Sequence, residues 1–360
     1  MGLRDEILEQ PAVAAGLLET GLPVIEAIAR AIQSRRIEFV VIAGRGTSDH
    51  AGVYAQYIFG TRNDLPVALA APSLLSIYGA RPRLRHALVI GISQSGRSPD
   101  VAGVVDEGRR QGALTLAVTN DRSSPLAVAA EWLIDVAAGP ERAIAATKTY
   151  TAELLALALL STVLRDGAAA ARETLARVPA AMRGALDVEA DAARAAARFR
   201  EMRACIVLGR GYEYATALEW ALKLKELTYV FADAYSAADF QHGPIALAEP
   251  GLPVLAVAPS GRARADMLTL LVRLHDELGA ALLVVADRFD GLPAGADVLG
   301  LSTDRRRPGD PRAHAIPGLP EWLMPIVSII PAQLFAYHLA LARGDDPETP
   351  RSISKITLTR

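Results

Sequence analysis

Two hydroxyl-rich turns are the first features of this sequence with the means to do chemistry. Ser93-Gln94-Ser95-Gly96-Arg97-Ser98-Pro99 follows the apolar run ALVIGI, and Gly44-Arg45-Gly46-Thr47-Ser48 follows FVVIA. The first turn predicts a helix over Asp100–Gln111, with Ser98 as its N-cap and Pro99 at its first position. Hydroxyls and backbone N–H groups gathered at a helix N-terminus form an anion site that adds donors without adding charge. That suits a phosphomonoester which is bound and released. Each turn alone also fits an ordinary strand–helix connection with capping serines. A dinucleotide site is disfavoured, because GRGTS lacks the full G-x-G-x-x-G spacing.

Acid–base groups follow later in the chain. ALEWALKLKEL predicts a helix with Glu219, Lys223 and Glu226 at i, i+4 and i+7 on one face. Such a face is either a solvated salt-bridge stripe or a carboxylate base held beside a lysine. A base of that kind moves a proton between adjacent carbons, the step that aldose–ketose isomerisation needs. His242 stands in Asp239-Phe240-Gln241-His242-Gly243-Pro244, where Gly and Pro fix a turn that projects a ring able to titrate near neutral pH. No cluster of His and carboxylates has metal-ligand spacing, so neither a metal nor another cofactor is expected.

These groups need a frame to position them. Short apolar runs at Phe39–Ala43, Ala87–Ile92, Leu114–Thr119, Ile206–Gly209, Val254–Ala258 and Leu282–Ala286 alternate with Ala- and Leu-rich helical stretches. Continuous apolar runs followed by Gly, Ser or Asp describe parallel strands covered on both faces. The pattern also repeats. VVIAGRGTSDHAGVYA is echoed by CIVLGRGYEYATALEW, and LVIGISQSGRS by VLAVAPSGRAR. Gly44 and Gly209 are 165 positions apart, as are Ser95 and Ser260. Co-linear matches at one offset indicate a tandem duplication. The second copy, PSGRAR, lacks the hydroxyls of the first, which marks the first as specialised.

Composition closes off other classes. With 51% apolar and 22% charged residues the chain is globular, and 360 residues are enough for two cores. A net charge of −2 leaves no footprint for nucleic acid or an anionic membrane. The one cysteine, Cys205 in the apolar run ACIVLG, excludes a disulfide framework and points to a reduced, cytoplasmic setting. The charged start MGLRDEILEQP lacks a signal-peptide core. Trp322–Ala342 is long enough to span a bilayer, but its prolines, Gln333 and His338 predict a loop plus a buried amphipathic helix at a domain or subunit interface. The tail's alternating ISKITLT predicts docking on the protein rather than disorder.

GTS after the first strand and SQSG after the second resemble the sugar isomerase (SIS) domain family. The motif order resembles the isomerase half of glucosamine-6-phosphate synthase, a glutamine-fructose-6-phosphate aminotransferase, and its stand-alone relatives. The likeness runs from EQP at Glu9–Pro11 to the C-terminal PRSISKIT. It implies two tandem α/β, flavodoxin-like (SIS) domains, each a parallel sheet flanked by helices. The expected layout is an N-terminal helical segment (1–28), a phosphate-binding domain (29–170), a helical linker (171–196), an acid–base domain (197–343) and a tail closing over the active site (344–360).

By the same resemblance Thr47, Ser48, Ser93, Gln94, Ser95 and Ser98 bind the phosphate, and Glu226 is the base with Lys223 as helper. His242 opens the sugar ring and is donated across a homodimer interface. Lys355 forms an imine with the ketose carbonyl, which requires a neutral amine. Glu141 and Ile144, in GPERAIAATK, lie near the substrate. Two positions depart from the family pattern. Arg97 replaces an acid of SQSGET, and Gln241 replaces the lysine of ELKHGP. The synthase's N-terminal glutaminase cysteine has no counterpart near the start of this sequence. The expected activity is therefore a glucosamine-6-phosphate deaminase/isomerase giving fructose 6-phosphate and ammonia. A fructosamine-6-phosphate deglycase and a non-catalytic sugar-phosphate binding protein are the alternatives.

Overall fold

The computed structural model describes residues 2–301 and 319–355. Contacts divide the chain into two units. The N-terminal unit comprises Glu9–Arg142, Ala146–Arg177 and, from the tail, Ser354 and Lys355. The C-terminal unit comprises the residues up to Leu8, Ala143–Ala145 and Val178–Ile353. Helix α1 (Leu3–Gln33) opens the chain.

In the N-terminal unit the order is β1 (Phe39–Ala43), α2 (Thr47–Asn63), β2 (Val67–Leu69), α3 (Ser73–Ser76), β3 (Ala87–Ile92), α4 (Pro99–Arg110), β4 (Leu114–Thr119), α5 (Pro125–Ala129), β5 (Trp132–Asp135), α6 (Lys148–Asp166) and α7 (Ala168–Leu175). All pairings are parallel, in the order β2-β1-β3-β4-β5. Every residue of β3 and β4 is buried, as continuous apolar runs between two helical layers must be. Val41, Val89, Val104, Val105 and Leu126 form one side of this core.

The C-terminal unit repeats the plan. After α8 (Val178–Leu186) and α9 (Glu189–Arg198) come β6 (Ala204–Gly209), α10 (Glu213–Thr228), β7 (Phe231–Ser236), α11 (Ala237–Gln241), β8 (Pro253–Val257), α12 (Arg264–Val272), β9 (Ala281–Ala286), β10 (Asp297–Gly300) and α13 (Met324–Arg343). The sheet order β10-β9-β8-β6-β7 is the first order read from the other edge. Both sheets have the doubly wound 2-1-3-4-5 topology, whose ligands bind at the carboxyl edge where the strand order reverses.

The repeat has a steric signature. A Cβ on Gly44 would stand 2.7 Å from the carbonyl oxygen of Ser48, and one on Gly209 would press closer still on that of Glu213. In each copy the strand turns into its helix so sharply that only glycine fits. The GRG triplets are thus the same turn made twice.

Trp322–Ala342 differs from expectation. A short 3₁₀ turn at Glu321–Leu323 leads into one unbroken helix, α13, with Pro325 in its first turn and Pro331 inside. Pro at a helix start removes no intrahelical bond, which is why Pro325 does not break it. The helix packs within its own unit against α8, α9 and α10. Among the described residues α1 and the Glu321–Arg343 segment are long and apolar enough to cross a bilayer, but the latter's most apolar window is 89% buried inside the protein. Its apolarity is that of a core helix.

Candidate active site

β1 and β3 are neighbours, with Ala43 registered on Gly91, so the two hydroxyl turns leave the sheet side by side at its carboxyl edge. Thr47 and Ser48 begin α2. Ser48 is buried, and its hydroxyl donates to Oε1 of Glu153 on α6 at 3.0 Å. In the second turn Ser93 Oγ accepts the Gly96 N–H at 3.1 Å, and Ser95 Oγ accepts that of Arg97 at 3.3 Å. Gln94 is anchored through its carbonyl, which accepts from the Asn120 N–H and the Thr119 hydroxyl. Gly96 has φ +62°, and any side chain there would overlap Ser124. The turn is therefore shaped by its own hydrogen bonds and by Gly96.

Ser98 occupies the N-cap position of α4 in extended conformation with Pro99 next, but its hydroxyl makes no capping bond, contrary to expectation. The Val101 N–H that it would have accepted goes instead to Oδ1 of Asp100 at 2.9 Å. Arg97 is exposed, and its guanidinium stands 3.6 Å from Asp121.

The same place in the C-terminal unit is filled by the protein's own acids. Asp287 accepts the Ser260 N–H at 2.6 Å, and Glu321 accepts that of Ala263 at 3.4 Å. Buried Arg264 donates to the carbonyls of Ala258, Arg288 and Asp290. The remaining cavity is only ≈ 10 Å³. Backbone donors already taken by carboxylates offer nothing to a phosphate. That explains why this copy dispensed with the hydroxyls.

α10 brings the acid–base candidates together. Lys223 Nζ lies 2.5 Å from Oε2 of Glu226 and 3.3 Å from Oε1 of Glu219. Glu219 and Lys223 are fully buried, while Glu226 keeps about a quarter of its side chain exposed. This is no solvated stripe. Burial pulls the Lys223 pKa down, but the two carboxylates, Glu219 foremost, more than offset it and raise it overall. Lys223 is a fixed cation that orients the one carboxylate of the three groups still open to a ligand.

His242 caps α11, its N–H bonded to the Asp239 carbonyl and its side chain exposed, with Gly243 at φ +143°. Pro244 then starts a 3₁₀ turn.

Glu141 emerges with a definite structural task. Its fully buried carboxylate takes the N–H groups of Thr147 and Thr149 on Oε1, at 2.9 and 3.1 Å, and Lys355 Nζ on Oε2 at 3.0 Å. It fixes the start of α6 and holds the described end of the tail. Ile144 is half-buried on the same stretch of chain. Lys148, also buried, is paired with Glu9 at 2.5 Å and with the Pro140 carbonyl. Sequence reasoning left out Glu153 and Glu9 as partners of site residues. Their only signal was an acid inside an apolar helix (Glu153) and in the EQP motif (Glu9). Residues 356–360 of the expected docking segment lie outside the described residues.

Doubled 2-1-3-4-5 sheets, a hydroxyl turn at one carboxyl edge and a buried acid–lysine–acid row define an α/β protein of the sugar-phosphate isomerase type. The chain belongs to the SIS domain family, whose profile matches residues 33–163 and 199–292. It is 32% identical over 360 residues to the glutamine–fructose-6-phosphate aminotransferase [isomerizing] of Thermococcus kodakarensis, covering 97% of this chain and 56% of that protein. This chain thus spans little more than half the length of the curated relatives it matches. A crystal structure from Silicibacter pomeroyi DSS-3, provisionally described as a phosphosugar isomerase, is 33% identical with a TM-score of 0.81, covering 96% of this chain and 100% of that one. The C-terminal domain of glucosamine-fructose-6-phosphate aminotransferase from Francisella tularensis is 25% identical, also at a TM-score of 0.81, covering 96% and 98%.

Proposed function

We propose that this chain converts glucosamine 6-phosphate to fructose 6-phosphate and ammonia. Thr47, Ser93, Gln94, Ser95 and Ser98 hold the phosphate through neutral donors, and Ser48 joins them when its hydroxyl turns from Glu153 to the ligand. His242, donated by the second chain of a homodimer, opens the ring. Glu226 takes the proton from C2 and returns it at C1, leaving a ketimine at C2. Lys355 first passes its extra proton to the ketimine nitrogen, then displaces that nitrogen as ammonia by forming its own imine at C2, and water releases the ketose.

The observation that carries this reading is the Glu219–Lys223–Glu226 row. Two buried groups orient a third that remains accessible, which is how a proton-transfer base has to be held. The isomerising step is also the one named in the aminotransferase relatives. Cys205 is buried on β6 with its pKa pushed up to about 12 by burial, so it takes no nucleophilic part in this chemistry. Release of the sugar's own nitrogen is the chemistry these residues support.

The test is a direct assay for ammonia and fructose 6-phosphate from glucosamine 6-phosphate. Glu226→Gln should bind sugar phosphate normally but lose turnover by roughly 10²–10⁴-fold. Full activity in that variant would refute the mechanism. Amino-acid release from a fructosamine 6-phosphate, with no ammonia from glucosamine 6-phosphate, would make the chain a deglycase. Tight binding without turnover of either substrate would make it a binding protein. For the dimer, mixing inactive His242→Ala and Glu226→Gln chains should restore about a quarter of the activity through mixed pairs. No recovery from exchanged subunits would place His242 in its own chain's site.

A further inference from the structure

Asp100 poses an electrostatic problem for a phosphate site. It lies in the first turn of α4, two residues after Ser98, and its side chain is 0% exposed. A carboxylate there complements the helix dipole but repels an incoming dianion. The structure compensates with Arg45, the middle residue of the other turn. Arg45 Nε and Nη2 both donate to Oδ2 of Asp100, at 2.8 and 2.6 Å. One guanidinium therefore cancels the acid and ties the turn after β1 to the helix that follows β3.

The duplicated copy shows what the contact looks like without a phosphate site to serve. Arg210 holds the position equivalent to Arg45, and its guanidinium reaches Asp266 in the first turn of α12 at 3.5 Å. There the acid is 67% exposed, so water screens it and the pair is loose. The tight form of the clamp, with its acid buried and its guanidinium half-exposed, is confined to the copy with the hydroxyl turns.

We propose that Arg45 is a positioning residue that sets phosphate affinity. It neutralises Asp100 and locks the two hydroxyl turns at the separation one phosphate requires. The inference rests on the phosphate reading given above and goes beyond it, since Arg45 acts through Asp100 rather than on the reacting atoms.

The experiment compares the wild type, Arg45→Ala, Arg45→Lys and the double variant Arg45→Ala/Asp100→Asn. Calorimetry with fructose 6-phosphate is read alongside steady-state kinetics. Arg45→Ala should weaken binding and raise KM by about tenfold, with kcat changed less than about twofold, because the carboxylate then faces the phosphate without its guanidinium. Arg45→Lys, which keeps the charge but not the fork, should lose about threefold. The double variant should recover most of the affinity, since the offending charge is gone. A double variant no better than Arg45→Ala would overturn the proposal, as would wild-type affinity in Arg45→Ala. If Arg45→Ala does not fold, wild-type affinity in Arg45→Lys would overturn it. A wild type that fails to bind fructose 6-phosphate would overturn this inference and the phosphate reading together. Binding that survives every substitution would overturn the inference alone.

Discussion

Lys355 Nζ and Glu141 Oε2 lie 3.0 Å apart although the residues are 214 positions apart in the chain. The pair joins the tail lysine, the candidate imine-forming amine, to a carboxylate that also organises the start of α6 through two backbone N–H groups. A buried carboxylate with three donors is satisfied. Removing its charge should loosen both of its neighbours at once.

Glu141→Gln should therefore free the tail and lower kcat by about tenfold, because Lys355 loses its tether while the fold keeps its core. Limited trypsin digestion at the tail, followed by mass spectrometry, reads the release independently of activity. An uncleaved tail with unchanged kcat would show that the ion pair positions nothing.

A second prediction concerns pH. Glu213, at the first turn of α10, is buried beside the acids Asp287 and Glu321, and burial is the main cause raising its pKa from 4.5 to about 7. Its oxygens accept hydrogen bonds from the hydroxyls of Thr216 and Ser328, at 2.5 and 2.9 Å, which lower the pKa in part. The folded state therefore holds this proton more tightly than the unfolded chain. The stability it contributes is complete below pH 4.5 and is lost as pH rises through about 7, on the order of 3 kcal/mol in all. Glu213→Gln keeps a neutral amide in place and should flatten that part of the profile. Urea melts of the two proteins at pH 5.5 and pH 8 test this. A stability difference between them that does not change with pH would exclude titration of Glu213.

The third prediction uses the glycines of the duplicated turn. Gly44→Ala and Gly209→Ala each drive a Cβ into helix backbone, and each should cost more than about 2 kcal/mol of stability. Gly103, inside α4, has nothing within 4 Å of where its Cβ would be. Gly103→Ala should stabilise by about 0.5–1 kcal/mol. Thermal melts of the three variants give the comparison, and equal losses at all three positions would contradict the steric account.

Much of the frame was legible in the linear chain. The runs FVVIA, ALVIGI and LTLAVT are strands because a largely apolar stretch of that length, ended by Gly, Ser or Asn, is suited to burial on both faces. The echo of GRG at Gly44 and Gly209 revealed the duplication because a sharp strand–helix turn tolerates one residue type at its tightest point. Glu219, Lys223 and Glu226 could be put on one helical face from spacing alone, because that relation is local.

What spacing could not decide was whether that face met water or core, and the packing of α13 and β7 on α10 decided it. Nor could it supply the partners: Ser48 with Glu153 across 105 positions, Arg45 with Asp100 across 55, Glu141 with Lys355 across 214. Periodicity records which side of an element is buried. It carries no information on which distant element covers that side, and charged groups choose partners only after the sheets have set the distances between them.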